Sequence, residues 1–443
     1  MSNTSPQSQP LKQKQTRTRI TPSGWVMILL LLALGAINYA DKAVLGLAAV
    51  PIIKELHLSP TQYGLVSGSL FWLYALSSLL VTAWSDRIGT KKVLTLLATS
   101  WAIVQLAAVF VFTFPGLLLT RIVLGAGEGP TYGTSVAAAT PWLPSDRRAF
   151  GLSLVTSGGL IGPALFAPLL TLLIVMIGWR LAFAFLGGIG LLWVILWLLA
   201  VREPPERATM PLQATQVKPS RTDWSQIRPV LFSRTFLVTT LALVCAYWML
   251  ALYLSWNPVY LVTVRHLRLS DPLYLAGITL PYIVGGIGQI AFGALADGLF
   301  RRTGSHRRSY VYPGTAALLL GALCVYLAVS VPSAVGCVLL FTLAPIAVAN
   351  PTLVTITSTL APAAHRGAIL GILVAVVTLP GLIAPWMTGL IIQATGKNVG
   401  VGFHNAYLLA SLFLMIVGVV FLACVRPGDE LLEEKRSIAD QYS

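Results

Sequence analysis

Four ionisable side chains lie inside long apolar runs: Asp41 and Lys42 in 24–48, and Arg121 and Glu128 in 115–139. A charge placed in lipid costs about 2.5–3.5 kcal/mol on insertion scales, so each marks a working site by default. Two acids and two bases can neutralise one another, and the competing reading is a purely structural ion-pair cluster. Buried pairs stabilise poorly relative to apolar packing, which weakens that reading. Arg121 and Glu128 are seven residues apart and share one helix face. They stand ~10.5 Å apart along the axis. Asp41 is expected to face Arg121, with Glu128 deeper. Lys42 points about 100° away from Asp41 around the helix, toward a solute or a neighbouring span. A carboxylate taken out of water holds its proton more tightly, and a nearby cation loosens it. The chemistry expected is reversible protonation of Asp41 and Glu128. Arg121 serves as the electrostatic switch and as a ligand for a carboxylate.

These residues need a membrane-spanning frame, and the composition supplies one. Of 443 residues, 56% are hydrophobic and 10% are charged, and the mean hydropathy is +0.79. Soluble domains carry about 25% charged residues. Twelve apolar runs are long enough to span a bilayer: 24–48, 62–84, 93–113, 115–139, 149–177, 180–200, 236–263, 273–297, 311–331, 333–358, 367–394 and 405–425. The polar lead 1–23 resembles the start of a signal peptide, but the run after it is too long for a cleaved segment. With the N-terminus inside, 23 of the 30 Lys and Arg residues fall on inner segments, which predicts cytoplasmic termini.

The predicted organisation is an all-α membrane protein of twelve transmembrane helices in two pseudo-symmetric six-helix bundles, 24–200 and 236–425. A tail 1–23, a proline-bearing linker 201–235 and a tail 426–443 are expected in the cytoplasm. The halves read as repeats. Gly159-Leu160-Ile161 with Pro163 matches Gly381-Leu382-Ile383 with Pro385, and Pro130-Thr131 matches Pro351-Thr352. Two such bundles suit alternating access to a midplane site. The second half has no Asp, Glu, Lys or Arg inside a predicted span, and Ala349 stands where the first half has Glu128. Neutral solute contacts are therefore expected there: Trp256, Asn257, Asn350 and Ser358, with Tyr253, Tyr260 and Gln289 as further candidates.

Other classes are excluded on composition. The net charge of +15 is spread among spans, so there is no basic module for nucleic acid. Cys245, Cys324, Cys337 and Cys424 lack metal-ligand spacing and read as packing residues. The five histidines, His57, His266, His306, His365 and His404, fall in loops and are expected on the solvated surface. No nucleophile pairs with a base, and no cluster offers metal ligands, so neither an enzyme nor a metal or cofactor site is expected.

Asp86-Arg87-Ile88-Gly89-Thr90-Lys91-Lys92 resembles the signature loop of the major facilitator superfamily, with Thr82 where that signature has its first Gly. Gly293-Ala294-Leu295-Ala296-Asp297 resembles a second, weaker copy, with Gly298 in place of the base. Within the superfamily, Ile37-Asn38-Tyr39-Ala40-Asp41-Lys42 and Thr120 through Gly129 resemble the first-span and fourth-span motifs of the anion:cation symporter family. Trp142 through Arg148 and Gly178-Trp179-Arg180 continue the likeness, which covers about 20–427. The resemblance implies a cytoplasmic gate at Asp86, Arg87, Gly89 and Asp297. It implies solute contacts at Tyr39, which shares the motif with Asp41, and at Tyr74, which matches an aromatic of sugar-acid carriers. Lys42 stands where the family has Arg, and an ammonium lacks the bidentate fork of a guanidinium. The function implied is proton-coupled symport of a small organic anion, a sugar acid or related carboxylate. A monomer in a bacterial-type inner membrane is expected. An exchanger or efflux carrier is the alternative within transport, and a solute sensor the alternative outside it.

Overall fold

The computed structural model describes residues 20–144, 147–201, 224–347, 351–362 and 365–426. Asn350, most of the expected linker and tails, and the side chains of Asp86 and Arg87 lie outside the described part.

Among the described residues the chain is almost wholly helical. The first half comprises α1 (Pro22–Leu47), α2 (Ala49–Glu55), α3 (Pro60–Ile88), α4 (Thr90–Ala107), α5 (Phe114–Glu128), α6 (Thr131–Ala139), α7 (Arg148–Thr156), α8 (Gly158–Ile177) and α9 (Trp179–Ala200). A short amphipathic helix, α10 (Trp224–Leu231), leads into the second half. That half comprises α11 (Arg234–Ser255), α12 (Asn257–Thr263), α13 (Pro272–Thr303), α14 (Tyr312–Ser330), α15 (Ala334–Leu343), α16 (Pro351–Leu360), α17 (Arg366–Val377), α18 (Leu379–Ala394) and α19 (Val399–Cys424).

Among the described residues, ten stretches are long and apolar enough to cross a membrane. Two further crossings are expected. The α3 helix is 29 residues long, and its side chains 82–87 lie outside the described part. The α5–α6 crossing contains Arg121 and Glu128 and is interrupted at Gly129-Pro130. Adding both is consistent with twelve crossings. Two helices outrun the expected spans: α3 continues to Ile88 and α13 to Thr303. Hydropathy reads the lipid-facing length, whereas the backbone ladder continues into charged turns.

Sequence chemistry sets the helix ends. Thr21 caps α1 by accepting from the Gly24 amide, and Pro22 opens the helix. Thr113, Ser233 and Ser333 cap α5, α11 and α15 in the same way. Gly89, between α3 and α4, has φ 94°, a conformation that strongly favours glycine. The signature-loop glycine is therefore a backbone requirement.

The halves break their helices at matching places. The first crossing is interrupted at Ala48 and its counterpart at Trp256. The fifth is interrupted at Ser157 and its counterpart at Thr378. Discontinuous helices of this kind supply irregular backbone only where it is buried or lines a cavity.

Between the halves, α3 packs against α18 and α8 against α13 most extensively, and α1 approaches α11 closely. A Cβ at Gly64 would lie 2.3 Å from the Pro385 carbonyl oxygen, and one at Gly46 would lie 1.9 Å from that of Leu254. Only glycine lets the backbones approach so far. Contacts from α3 to the other half run from Thr61, whose backbone N–H donates to Gln393 Oε1 at 3.3 Å, to Phe71, whose ring meets Tyr247 at 6.3 Å. Beyond that point Leu73, Leu76 and Leu80 are exposed. The molecule is thus closed between its halves at the end that charge patterning predicts to be outer.

Candidate functional site

The site begins with α1 and α5. Asp41, Arg121 and Glu128 are 1%, 0% and 0% exposed. The Lys42 side chain is nearly as buried. Side chains on a helix lean toward its N-terminus. Lys42 accordingly folds back one turn and donates to Asn38 Oδ1. From there its Nζ lies 2.7 Å from Glu128 Oε2. Two rings flank the ammonium, with centroids at 4.8 Å for Tyr39 and 5.3 Å for Tyr74. Lys42 therefore reaches the neighbouring span, one of the two destinations the sequence left open.

The expected face-to-face pair of Asp41 and Arg121 is corrected in one respect: a third residue separates them. Gln105 on α4 donates through Nε2 to Asp41 Oδ1 at 2.6 Å. Its Oε1 accepts from Arg121 Nη2 at 3.0 Å. Phe183 on α9 covers the guanidinium at 5.0 Å from its ring centroid. Asp41 Oδ2, Arg121 Nε and Arg121 Nη1 have no hydrogen-bond partner among the described residues. Sequence reading missed Gln105, although an amide within the apolar run 93–113 was a visible signal.

Asp41, Lys42 and Arg121 line a narrow cavity between the halves. Ser67 and Phe71 of α3 complete the first half's wall, and Ser255, Gly381 and Pro385 belong to the opposite one. Tyr247 on α11, also missed in the sequence, lies within electrostatic reach of Tyr39, Tyr74 and Lys42.

The other expected contacts are dispersed. Trp256 donates to the Pro385 carbonyl at 2.9 Å and packs edge-on against Tyr63, sealing one end of the interface. Tyr63 strengthens that seal by donating to the Ser255 carbonyl at 2.8 Å. Asn257 donates to the Gly277 carbonyl at 3.3 Å and lines a separate small cavity with Tyr253 and Tyr282. Ser358 on α16 bonds back to the Thr355 carbonyl and lines neither cavity. Tyr253 donates to the Phe341 carbonyl, Tyr260 packs among Phe341, Phe403 and Tyr407, and Gln289 is exposed on α13. Asp297 is exposed near the end of α13.

His57 and His266 are exposed, while His306 and His404 are half-buried. His365, expected in solvent, is buried. Its backbone amide donates to the Pro362 carbonyl at 3.0 Å.

At the predicted outer rim, Trp179 Nε1 donates to Glu55 Oε2 at 2.6 Å, and Arg180 pairs with the same carboxylate. Arg180 also donates to the Val111 carbonyl at 2.7 Å. The Trp179 hydrogen bond, followed by Arg180, holds the Glu55 carboxyl below its ordinary range.

Two like helical halves enclosing a buried charge cluster define a membrane carrier. Residues 31–385 match the Major Facilitator Superfamily, and the chain belongs to that family. It is a multi-pass membrane transporter and not an enzyme. A hexuronate transporter of Bacillus subtilis (strain 168) is 28% identical over 407 residues, covering 90% of this chain and 94% of that one. A probable galactarate/D-glucarate transporter of Escherichia coli (strain K12) is 27% identical over 338 residues, covering 71% and 74%. Among solved structures, a bacterial homologue of the human lysosomal transporter Spinster, inward-facing and unoccupied, superposes with a TM-score of 0.79. It is 20% identical, over 91% of this chain and 97% of that one, and shares the fold.

Proposed function

We propose that this transporter carries a small organic anion of the sugar-acid class together with protons, by alternating access. The observation that carries the reading is the pairing of Lys42 with Glu128 at the wall of the cavity. A proton on Glu128 removes the charge that holds the ammonium. Lys42 is then free for a carboxylate of the solute, and the open N–H groups of Arg121 offer a second point of attachment. Tyr39 and Tyr74 stand beside the ammonium, where their hydroxyls suit the polyol body of a sugar acid. The names of the similar proteins, hexuronate and galactarate/D-glucarate transporters, support that solute class.

In this reading both termini are cytoplasmic, in a bacterial-type inner membrane, and the monomer is the working unit. The closed end then faces outward. The Gly89 turn, with Asp86, Arg87 and Asp297, forms the inner gate. Trp256 supports closure more than solute contact, and Asn257, Asn350 and Ser358 remain proposed contacts for other stages of the cycle.

The test is uptake of D-glucuronate into vesicles with an imposed proton gradient. Glu128→Gln should abolish gradient-driven accumulation while solute exchange persists. Accumulation at the wild-type level would sink the coupling role. Wild-type exchange without any response to the gradient would point to an exchanger.

A further inference from the structure

Gln105 is the neutral member of an otherwise charged cluster, and its side chain is fully buried. Both ends of its amide are used, the N–H toward Asp41 and the carbonyl toward Arg121. The amide therefore occupies the place where a direct ion pair would form. Phe183 stacks on the guanidinium and limits its escape.

We propose that Gln105 is a positioning residue that holds Asp41 and Arg121 one amide apart. So spaced, Asp41 takes up a proton more readily than it would in a direct pair. Arg121 keeps Nε and Nη1 for a solute carboxylate. The proposal rests on the proton-coupled reading for its purpose, but its physical content is separable from transport.

The argument is Coulombic. The attraction between two charges falls with their separation. A cation within about 4–6 Å of a carboxylate lowers its pKa by about 1–3 units. Besides Gln105 on α4, the groups facing Asp41 are Arg121 and Glu128 from α5 and Lys42 from its own helix. Lys42 is engaged by Glu128, which leaves Arg121 as the cation whose distance from Asp41 is set by Gln105. Two substitutions move the balance in opposite directions. Gln105→Ala removes the spacing bulk with both bonds and lets Arg121 close on Asp41, where a direct cation outweighs the neutral donor it replaces. Gln105→Glu places a carboxylate on Arg121 and takes the cation from Asp41.

The experiment is infrared titration of the purified full-length protein in lipid. The protonated-carboxyl band of Asp41 is assigned by its loss in Asp41→Asn. Relative to wild type, the midpoint should move about one pH unit toward acid in Gln105→Ala, a tenfold weaker hold on the proton. It should move toward alkali in Gln105→Glu, which also serves if the alanine variant does not fold. Unmoved midpoints, shifts in one common direction, or no band attributable to Asp41 would each overturn the proposal. Gradient-driven uptake of D-glucuronate by the wild type is measured separately. If uptake ignores the gradient while the midpoints move as stated, the coupling reading fails and the positioning role stands.

Discussion

The two halves share their helix breaks and differ in their charges. In the first half, Glu128 closes α5 just before the Gly129-Pro130 interruption and holds Lys42 of α1. In the second, α11 presents Tyr247, Ala251, Leu254 and Ser255 toward the first half and the cavity, without a charge among them. The same backbone plan therefore supports an ionic wall on one side and a neutral wall on the other. The difference teaches that a shared backbone plan leaves the chemistry free to reside in one copy.

The largest expected effect comes from breaking the ionic wall. Lys42→Met leaves Glu128 buried without its partner, and removing one member of a buried pair costs about 3–5 kcal/mol. The double variant Lys42→Met with Glu128→Gln should recover most of the lost thermal stability but no accumulation. If stability is not recovered, Lys42 stabilises through contacts other than Glu128.

A smaller effect is expected where the halves touch. Gly46→Val forces a side chain against the Leu254 carbonyl, and overpacking of this kind costs about 1–3 kcal/mol. The closed state should lose population. A Ser67→Cys side chain should then react faster with an impermeant thiol reagent added from outside. Unchanged labelling would mean that this contact does not govern closure.

On the neutral wall, Tyr247→Phe removes one hydroxyl. If that hydroxyl meets the solute, KM should rise about threefold to tenfold, the worth of one hydrogen bond. The pH profile should stay fixed. A displaced profile would place Tyr247 in the ionic machinery and erase the contrast between the halves.

The smallest effect lies at the rim. The folded-state pKa of Glu55 is below its ordinary value near 4.5. Its contribution to stability is therefore complete above that value and is lost as pH falls through the depressed one. The carboxylate is partly exposed, so about 0.2–1 kcal/mol is at stake. Melting temperatures across this acid range should fall slightly more steeply for wild type than for Glu55→Gln. Parallel curves would show that the rim pair is energetically silent.

The frame was largely legible in the sequence because lipid imposes span length and excludes charge. The four buried charges were legible for the same reason. Their pairing was not. Asp41 and Lys42 differ by one residue in height, whereas Arg121 and Glu128 stand two turns apart. Side-chain reach resolves the mismatch, with Lys42 folding back toward Glu128 and Gln105 reaching across from a third helix. Spacing along one helix carries no information about a third. The dispersal of Trp256, Asn257 and Ser358 was hidden for a related reason: a polar group in a span satisfies itself on nearby carbonyls as readily as on a solute.

The outer seal has a thermodynamic consequence. Its described bonds join Tyr63 to a main-chain oxygen and Gln393 to a main-chain amide, with glycines pressed against carbonyls between them. Groups of this kind keep one protonation state across physiological pH, so acid leaves the strength of the closure unchanged. Each such bond is worth about 0.5–1.5 kcal/mol net, which makes the latch shallow enough to release thermally. On the proposed coupling, proton sensing in the buried cluster and sealing at this end are energetically independent.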